Sequence, residues 1–337
     1  MTSCRSLPLN LKTADHAIFS HEFKKEIAEV YTFSIPNLLY TYQGRILLNE
    51  KKSIPKEFEL YNNITRLGII DYCKLVLKIK WSRKWLTFRQ PIFFVTDYWS
   101  KGYFHWFADV LPRLVVQIET AKKYPVLLPT EFENFPYVRA SIELIGAKVI
   151  FMKEGFTYKL KRTIFVSHFA TPGNYNDNVL KQVANLLSQK IPSSSANTLQ
   201  SPLVYISRGK ASKRKIKNEE KVEALLQSYC FKTFYCEELS LHDQMLIMSQ
   251  AKVLVSNHGA GLTNMLFLKE HSKVIELRNE NDSQNNCYYT MACALNHDYY
   301  YLTCKPVNEG EEPHTADLIV DCNQLDALLN EVTPKLV

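Results

Sequence analysis

A histidine and an aspartate stand four residues apart in an aromatic-rich segment. His105 and Asp109 lie within Trp99–Arg113. On a helix, side chains at this spacing share one face, so the carboxylate can orient the imidazole. Such a pair can act as a general base, and the surrounding aromatic rings would keep the site partly dry. Aromatic rings in general also stack on sugar rings. A buried pair that stabilises an aromatic core is the alternative, and the lack of a third ligand argues against zinc.

A pair of glycines follows a short apolar run. Gly259 and Gly261, two of only ten glycines, come directly after the strand predicted at Lys252–Ser256. Glycines let the backbone approach a ligand, and the free N–H groups of a helix start attract phosphate. A plain strand-to-helix turn is the alternative, with His258 capping or packing. The third glycine of a dinucleotide fingerprint is replaced by Asn264, which argues against a dehydrogenase.

Six basic residues occur in the ten positions from Arg208 to Lys217, directly after the strand predicted at Leu203–Ile206. Guanidinium groups bind phosphate bidentately, and ammonium groups add point charge. The loop is therefore a candidate pyrophosphate clamp. A solvated basic loop or a nucleic-acid patch is the alternative. The chain has no Walker A loop.

The elements that must position these residues are strands alternating with helices. In the second half, further strands are predicted at 231–236, 273–277 and 299–303, with helices at 219–229, 241–248, 260–268 and 286–295. In the first half, strands are predicted at 92–95, 126–128, 148–151 and 163–166, with helices at 103–119, 135–145 and 177–189. Pro112 should kink or restart the helix at 103–119. This alternation predicts parallel α/β sheets that bind ligands beyond the carboxyl ends of their strands. The alternation at Leu75–Lys80 predicts a β-rich extension.

Length and composition indicate a folded protein of two domains. The chain has 337 residues, 46% of them hydrophobic, and a formal charge of +7 that permits an anionic partner. The predicted organisation is an N-terminal β-rich extension over 1–90, a first Rossmann-like domain over 91–190, a Ser- and Pro-rich linker over 191–202 and a second Rossmann-like domain over 203–337. Together they predict an α/β fold with two Rossmann-like domains facing a cleft.

The cysteines and the N-terminal residues bear on the compartment. The eight cysteines show no CxxC spacing, which favours buried thiols, although Cys230/Cys236 or Cys287/Cys293 could be bridged in an oxidised protein. Residues 1–20 lack the features of a secretory signal, and no apolar run is long enough to span a bilayer. We expect a cytoplasmic protein, with peripheral contact at the inner face of a membrane through its basic surface as a further option.

These segments together resemble glycosyltransferase family 61, the family of capsular-polysaccharide-type enzymes and of O-linked N-acetylglucosaminyl- and xylosyltransferases. The resemblance extends over about residues 92–304, in matching order and spacing, and the residues that support it are Gly102–Trp106, Asp109, Leu111–Arg113, Tyr205–Arg208, Lys213–Arg214, Asn218–Glu219, Leu239–Ser240, Asp243–Gln244, His258–Asn264, Phe267 and Val274–Leu277. One departure is Gly209, where many relatives have a second arginine.

The resemblance implies a GT-B architecture and the transfer of a sugar from a nucleotide sugar, with a UDP-sugar favoured, to a hydroxyl of a glycan or glycoconjugate. It also implies inversion at the anomeric carbon and a place in surface polysaccharide or glycan synthesis. No covalently bound cofactor and no divalent metal are expected, and neither is a specific nucleic acid. A non-catalytic nucleotide-sugar-binding homologue and a basic nucleic-acid-binding protein are the competing hypotheses.

Combined with the resemblance, the residues receive hypothetical roles. Asp109 or His105 is the base, and Arg113 and Ser207 support the site. The donor diphosphate is assigned to Arg208, Lys210, Lys213, Arg214, His258, Gly259, Ala260 and Gly261. The nucleotide and its ribose are assigned to Leu262, Thr263, Asn264 and Glu276.

Overall fold

The computed structural model describes residues 2–168, 173–191 and 201–333. Its strands are β1 (Thr2–Cys4), β2 (Lys24–Glu26), β3 (Thr32–Thr41), β4 (Ile46–Asn49), β5 (Ile64–Leu67), β6 (Trp85–Phe88), β7 (Ile92–Phe94), β8 (Val126–Leu128), β9 (Val149–Phe151), β10 (Thr157–Val166), β11 (Leu203–Ile206), β12 (Lys232–Phe234), β13 (Val253–Asn257), β14 (Lys273–Asn279), β15 (Asp298–Pro306) and β16 (Leu318–Ile319).

The α-helices are α1 (His16–Phe19), α2 (Lys56–Tyr61), α3 (Ile69–Trp81), α4 (Tyr103–His105), α5 (Leu111–Val116), α6 (Ile118–Lys123), α7 (Pro136–Leu144), α8 (Asp177–Ser188), α9 (Glu219–Ser228), α10 (Leu241–Gln250), α11 (Cys287–Ala294) and α12 (Cys322–Val332). A π-helical turn covers Trp106–Val110, and 3₁₀ segments cover Thr13–Asp15, Ser20–Glu22, Thr130–Asn134, Cys236–Glu238 and Ala260–Phe267.

The chain divides into two compact units. One, the split unit, contains residues 2–27, 173–191 and 201–333, and the other, the inserted unit, contains residues 28–168. Residues 2–27 and helix α8 therefore group with the second half of the chain, whereas the sequence assigned them to the extension and the first domain. The predicted linker at 191–202 lies mostly outside the described residues.

The split unit is built on a six-stranded sheet in the order β12-β11-β13-β14-β15-β16. Its first five strands are parallel, and β16 is antiparallel to β15. The parallel strands rank 2-1-3-4-5 in chain order, which is the order of doubly wound sheets. In such a sheet the strand order reverses between β11 and β13, so the loops that follow these strands diverge and leave space for a ligand.

The inserted unit is built on a mixed sheet in the order β5-β4-β3-β10-β7-β8-β9. Strands β7, β8, β9 and β10 are parallel, while β3 is antiparallel to β10. Two strands share the edge of β10 that faces away from β3. Strand β6 pairs with Thr157–Leu160, and β7 pairs with Thr163–Phe165. The α/β class is thus confirmed for both units.

The prediction for Leu75–Lys80 is wrong, because these residues lie in helix α3. Tyr72, Leu75, Val76 and Ile79 are the half-buried positions of this helix. Their spacing is that of one helical face, which the strict alternation of a strand lacks.

No described helix has the length and apolar content needed to cross a bilayer. The eight cysteines are unpaired, so neither Cys230/Cys236 nor Cys287/Cys293 is bridged. Cys287 and Cys304 are buried, as expected, whereas Cys4, Cys73 and Cys230 are exposed.

Candidate functional site

The predicted His105–Asp109 pair forms in the inserted unit. Nδ1 of His105 lies 2.6 Å from Oδ2 of Asp109, and the two side chains remain 23% and 18% exposed. A carboxylate that accepts a hydrogen bond from Nδ1–H selects the tautomer whose Nε2 atom can accept a proton. The pair is thus oriented at the surface, with the geometry that a general base requires.

A π-helical turn presents this pair. The N–H group of Leu111 donates to the carbonyl of Trp106, five residues earlier. Pro112 follows at once, and in a regular helix its ring would collide with the carbonyl of Ala108. The wider turn removes this conflict, which explains the irregularity that the proline predicts. π turns of this kind occur often at functional sites.

A buried ion pair supports the π-helical turn. Arg113, whose side chain is 1% exposed, contacts Oδ2 of Asp97 at 2.8 Å and donates from Nε to the carbonyl of Asp109 at 3.1 Å. Nε2 of His168 lies 2.8 Å from the same Asp97 oxygen. Burial alone would raise the pKa of Asp97, but His168 and Arg113 outweigh it and hold that pKa well below its usual value. Arg113 therefore fixes the backbone of Asp109.

Sequence reasoning missed Asp97 and His168. Strands β7 and β10 are parallel neighbours, with Phe94 opposite Phe165, and the two missed residues each stand three positions beyond that register pair. The sheet thus brings them to one edge. Polar residues after two predicted strands were the available signal, but strand adjacency cannot be read from the sequence.

Two exposed aromatic side chains stand beside the pair. Tyr98 is 74% exposed and Trp99 is 56% exposed, and the ring of Trp99 lies 5.7 Å from that of His105. Oδ1 of Asp97 accepts hydrogen bonds from the N–H of Trp99 at 2.9 Å and from the hydroxyl of Ser100 at 2.8 Å. The two aromatic residues therefore lie on a turn that Asp97 holds in place, and Trp99 lies next to the imidazole of His105.

In the split unit, Arg208 and Arg214 come together where the sheet order reverses. Nη2 of Arg208 donates to the carbonyl of Lys213 at 3.2 Å, and a side chain at Gly259 would collide with the Arg208 guanidinium. Arg214 has a positive φ of 57°, and Nδ2 of Asn257 donates to its carbonyl. The loops after β11 and β13 thus lie side by side at the point where the sheet order reverses.

These two arginines form a positive site with unused donors. Among the described residues, the Nε atoms of both Arg208 and Arg214 are buried and have no hydrogen-bond partner. Burial and then the charge of Arg214 lower the pKa of Arg208. Two guanidinium groups that repel each other and retain buried donors are suited to bind an anion between them.

The lysines of the loop lie elsewhere. Nζ of Lys210 pairs with Glu238 and lies 4.7 Å from the ring centre of Tyr235. Lys213 is exposed and contributes its backbone carbonyl to Arg208. The structure therefore brings the two arginines, and not all four predicted cations, to one place.

Ser207 and Gly209 shape the start of the loop through Glu219. The hydroxyl of Ser207 donates to Oε1 of Glu219 at 2.6 Å and accepts from the N–H of Gly209 at 2.9 Å. A methyl group at Gly209 would lie 2.7 Å from Oε2 of Glu219. The end of the Glu219 side chain therefore packs directly against the Cα atom of Gly209.

His258 and Glu276 form a buried pair. Nδ1 of His258 lies 2.5 Å from Oε1 of Glu276, and the hydroxyl of Tyr299 donates to Oε2 at 2.5 Å. Nδ2 of Asn285 lies 3.1 Å from Nε2 of His258. Burial alone would raise the pKa of Glu276, but His258 outweighs it and the net shift is downward. Both oxygens of Glu276 are thus engaged inside the unit, where they orient His258.

The segment after Gly259 is helical, but of the 3₁₀ type, over Ala260–Phe267. Leu262, Thr263 and Asn264 are fully buried in it, and Asn264 donates to Oε1 of Gln244 at 2.9 Å. Ala260 and Gly261 are half-buried, and a methyl group at Gly261 would lie 2.7 Å from Ile206. The residues assigned to the nucleotide from the resemblance therefore face the interior.

Comparison with known proteins assigns the chain to a family. The sequence model of glycosyltransferase 61 matches residues 103–275, just over half of the chain, and the chain belongs to this family. The matched range includes the His105–Asp109 pair, both arginines and His258, and it ends one residue before Glu276.

A curated relative is similar over a shorter stretch. EGF domain-specific O-linked N-acetylglucosamine transferase of Drosophila melanogaster is 33% identical over 93 residues, which cover 27% of this chain and 17% of the relative. The match thus spans less than a fifth of the relative's length.

Proposed function

We propose that this protein transfers a sugar from a nucleotide sugar to a hydroxyl group of a glycan or glycoconjugate. The observation that best supports the proposal is the pair of arginines with buried, unused Nε donors at the reversal point of a doubly wound sheet. Membership of glycosyltransferase family 61 supports the reaction class. The proposal includes the GT-B-like arrangement predicted from the sequence, in which one Rossmann-like domain binds the donor and the other supplies the base.

The proposed donor site uses Arg208 and Arg214 to bind the diphosphate. Their guanidinium groups can neutralise the charge that develops on the leaving nucleoside diphosphate, a task that a divalent metal performs in other transferases. Gly259 keeps the backbone clear of Arg208. Nδ1 of His258 is hydrogen-bonded to Glu276, so the His258 imidazole has a defined orientation directly before Gly259.

The proposed base is His105, oriented by Asp109. Nε2 removes the proton of the acceptor hydroxyl as its oxygen attacks the anomeric carbon and the diphosphate departs. One displacement of this kind inverts the anomeric centre. Asp109 stabilises the imidazolium that forms, and the Arg113–Asp97 pair keeps the turn in place.

The acceptor is proposed to rest against Trp99 and Tyr98. Sugar rings present polarised C–H groups, which the negative face of an aromatic ring attracts. Trp99 lies beside His105, so a sugar stacked there would bring a hydroxyl close to Nε2.

The donor sugar is proposed to be carried by UDP, and UDP-N-acetylglucosamine is the first donor to test because the relative's name specifies N-acetylglucosamine transfer. We further propose a cytoplasmic location and a role in surface polysaccharide or glycan synthesis, as the sequence predicts.

Calorimetry with UDP tests the donor site directly. Arg208→Ala removes a charged donor to the diphosphate and should weaken binding by about 100-fold. Lys210→Ala removes the same charge from the same loop, but Lys210 pairs with Glu238, so affinity should change less than about threefold. Equal losses in the two variants, or no UDP binding by the unmodified protein, would contradict the assignment.

A further inference from the structure

Helix α3 of the inserted unit has two apolar faces. Its half-buried face is formed by Tyr72, Leu75, Val76 and Ile79. The opposite face bears Ile70, Leu77 and Trp81, which are 69%, 66% and 89% exposed. Their spacing of seven and four residues aligns them along one line of the helix, about 16 Å long. We call these three residues the α3 stripe.

An aligned apolar stripe on the solvent side of a helix is a candidate interaction surface. Single exposed apolar residues are ordinary, but a contiguous apolar patch marks an interaction surface. The polar face that a surface helix of a water-soluble protein should present is absent along this line.

Basic side chains flank the α3 stripe on both sides. Lys74 and Lys78 project on one side of it and Lys80 on the other, as the 100° rotation per residue requires, and all three are exposed. Arg83 and Lys84 follow directly, while Asp71 is the only acidic residue in 69–84. The surface therefore combines an apolar line with a cationic border.

The cationic border continues onto neighbouring strands. Nζ of Lys80 and Nζ of Lys159 lie 5.9 Å and 6.0 Å from the ring of Trp85. Burial, followed by the charges of Lys161 and Lys80, lowers the pKa of Lys159. These cations crowd one another, which an anionic surface would relieve.

We propose that the α3 stripe and its lysines bind the surface of an anionic lipid bilayer, with the helix axis parallel to the membrane plane. An interfacial helix of this type inserts Trp and Leu among the acyl chains and places lysines at the headgroups. This inference is independent of the proposed function.

Charge favours a lipid surface over a protein partner. In a symmetric dimer the same patch contacts itself, so the lysines of one copy would face those of the other. Lysine is also depleted in protein interfaces, whereas each lysine near an anionic bilayer strengthens binding.

Vesicle flotation tests the proposal with the full chain and two vesicle types, phosphatidylcholine alone and phosphatidylcholine with phosphatidylserine. The protein should float with the anionic vesicles, and added salt should reduce the bound fraction. Leu77→Gln should reduce binding about tenfold, while Leu7→Gln, at an exposed leucine of the split unit, should leave it unchanged. Trp81→Gln is a second variant on the stripe with the same expected direction.

A charge variant separates headgroup attraction from apolar insertion. Exchanging Lys74, Lys78 and Lys80 for alanine should weaken binding to anionic vesicles on the order of 100-fold. Exchanging Lys221, Lys252 and Lys269, which are exposed in the split unit, removes the same net charge and should have little effect.

Three results would overturn the proposal: no flotation with anionic vesicles, equal losses in the matched variants, or a dimer that Leu77→Gln dissociates while vesicle binding is absent. Measuring UDP binding by each variant keeps this test separate from the proposed function, since the α3 variants should bind UDP as the unmodified protein does.

Discussion

At the residue scale, Asp109 accepts a hydrogen bond from Nδ1 of His105, and this leaves Nε2 as the proton acceptor. His105→Ala should therefore reduce kcat by about 100-fold or more, because a positioned base contributes that much. Imidazole added to the solution should restore part of the activity of this variant, as measured by sugar transfer.

Substitutions at His105 and Asp109, with a control elsewhere in the unit, determine which residue of the pair is the base. Asp71→Asn, at an exposed aspartate of the same unit, should keep full activity. If His105→Ala stays active and Asp109→Asn is inactive, with no imidazole effect, the carboxylate is the base and our assignment of His105 is wrong.

Trp99 permits a second prediction at this scale. Trp99→Ala should raise KM for the acceptor about tenfold, the equivalent of a lost aromatic stacking contact, and should leave KM for the donor unchanged. Trp81→Ala removes another exposed tryptophan of the inserted unit and should change neither value with a soluble acceptor. An equal effect of both substitutions would refute the acceptor role of Trp99.

Residue types and spacing predicted the contact within the His105–Asp109 pair more fully than the arrangement of the basic loop. The spacing of His105 and Asp109 was sufficient to place both on one face, because a helix turn sets that geometry locally. The basic loop was also evident, but its division into two arginines at the site and Lys210 on Glu238 depends on where β12 ends. The sequence of the loop does not reveal that Lys210 pairs with a residue 28 positions away.

At the element scale, substitution of one of two nearby glycines should weaken ligand binding, and substitution of the other should lower stability. Gly259→Ala should displace the guanidinium of Arg208 and weaken UDP binding about tenfold, while the free energy of unfolding changes by less than about 1 kcal/mol. Gly261→Ala presses on the buried Ile206 of β11 and should cost about 1–3 kcal/mol of stability. Calorimetry and urea denaturation measure the two effects, and the reverse pattern would show that the contacts are assigned incorrectly.

The 3₁₀ segment Ala260–Phe267 is hydrogen-bonded to a buried histidine whose protonation should destabilise the fold. Nε2 of the buried His297 donates to the carbonyl of Met265 at 2.9 Å, and burial lowers the pKa of His297 to about 4. The unfolded chain binds a proton at its ordinary value near 6.5, so stability is lost as the pH falls between these two values. The loss amounts to about 3 kcal/mol by pH 4.

His297→Gln should remove this contribution. Urea denaturation of the variant should show a shallower decline of stability between pH 7 and pH 4 than the unmodified protein shows. Parallel profiles for the two proteins would mean that His297 does not drive the acid sensitivity.

The elements were predictable where apolar runs are continuous. Strands β11, β13 and β14 are buried on both faces, and their sequences predict them to within two residues at each end. Helix α3 was misread because its two apolar faces produce alternation over six residues, and the π turn before Pro112 was expected only as a kink. In helix α3 a second apolar face determines the pattern, whereas the π turn results from the local conflict between the Pro112 ring and the preceding turn.

On the scale of the whole molecule, the arm formed by residues 2–27 completes the split unit. Phe19 is fully buried, packs within 4.9 Å of the Arg278 guanidinium and lies against the rings of Tyr289 and Tyr301. Arg278 bonds Asn286, which in turn donates to the carbonyl of Ile18 at 2.7 Å. The arm thus supports the segment from which Asn285 reaches His258.

Phe19→Ala should lower the free energy of unfolding of the split unit by about 3–5 kcal/mol, because it leaves a cavity among aromatic rings. Urea denaturation with UDP-binding as the readout reports on that unit. Leu7→Ala, at an exposed position of the same arm, should change stability by less than about 0.5 kcal/mol. A similar loss in both variants would show that the arm does not pack as a specific part of the unit.

The alternation of strands and helices predicts the α/β class that both units show, but the arm could not be foreseen. Residues 2–27 lack a long periodic pattern, and their partners in β15 and α11 lie more than 250 positions away. Contacts at such separation are set by the completed fold.

The inserted unit also imposes an order of events during translation. A ribosome releases residues 2–27 early, yet the strand and helix that receive Phe19 are synthesised only after the whole inserted unit has emerged. Domains fold as units while the chain grows, so residues 28–168 can fold first. During that time the Phe19 side chain of the arm stays exposed to solvent and chaperones. A nascent chain that stops before β15 would therefore contain a complete inserted unit and a split unit that still lacks Tyr299 and Tyr301, two of the rings against which Phe19 packs.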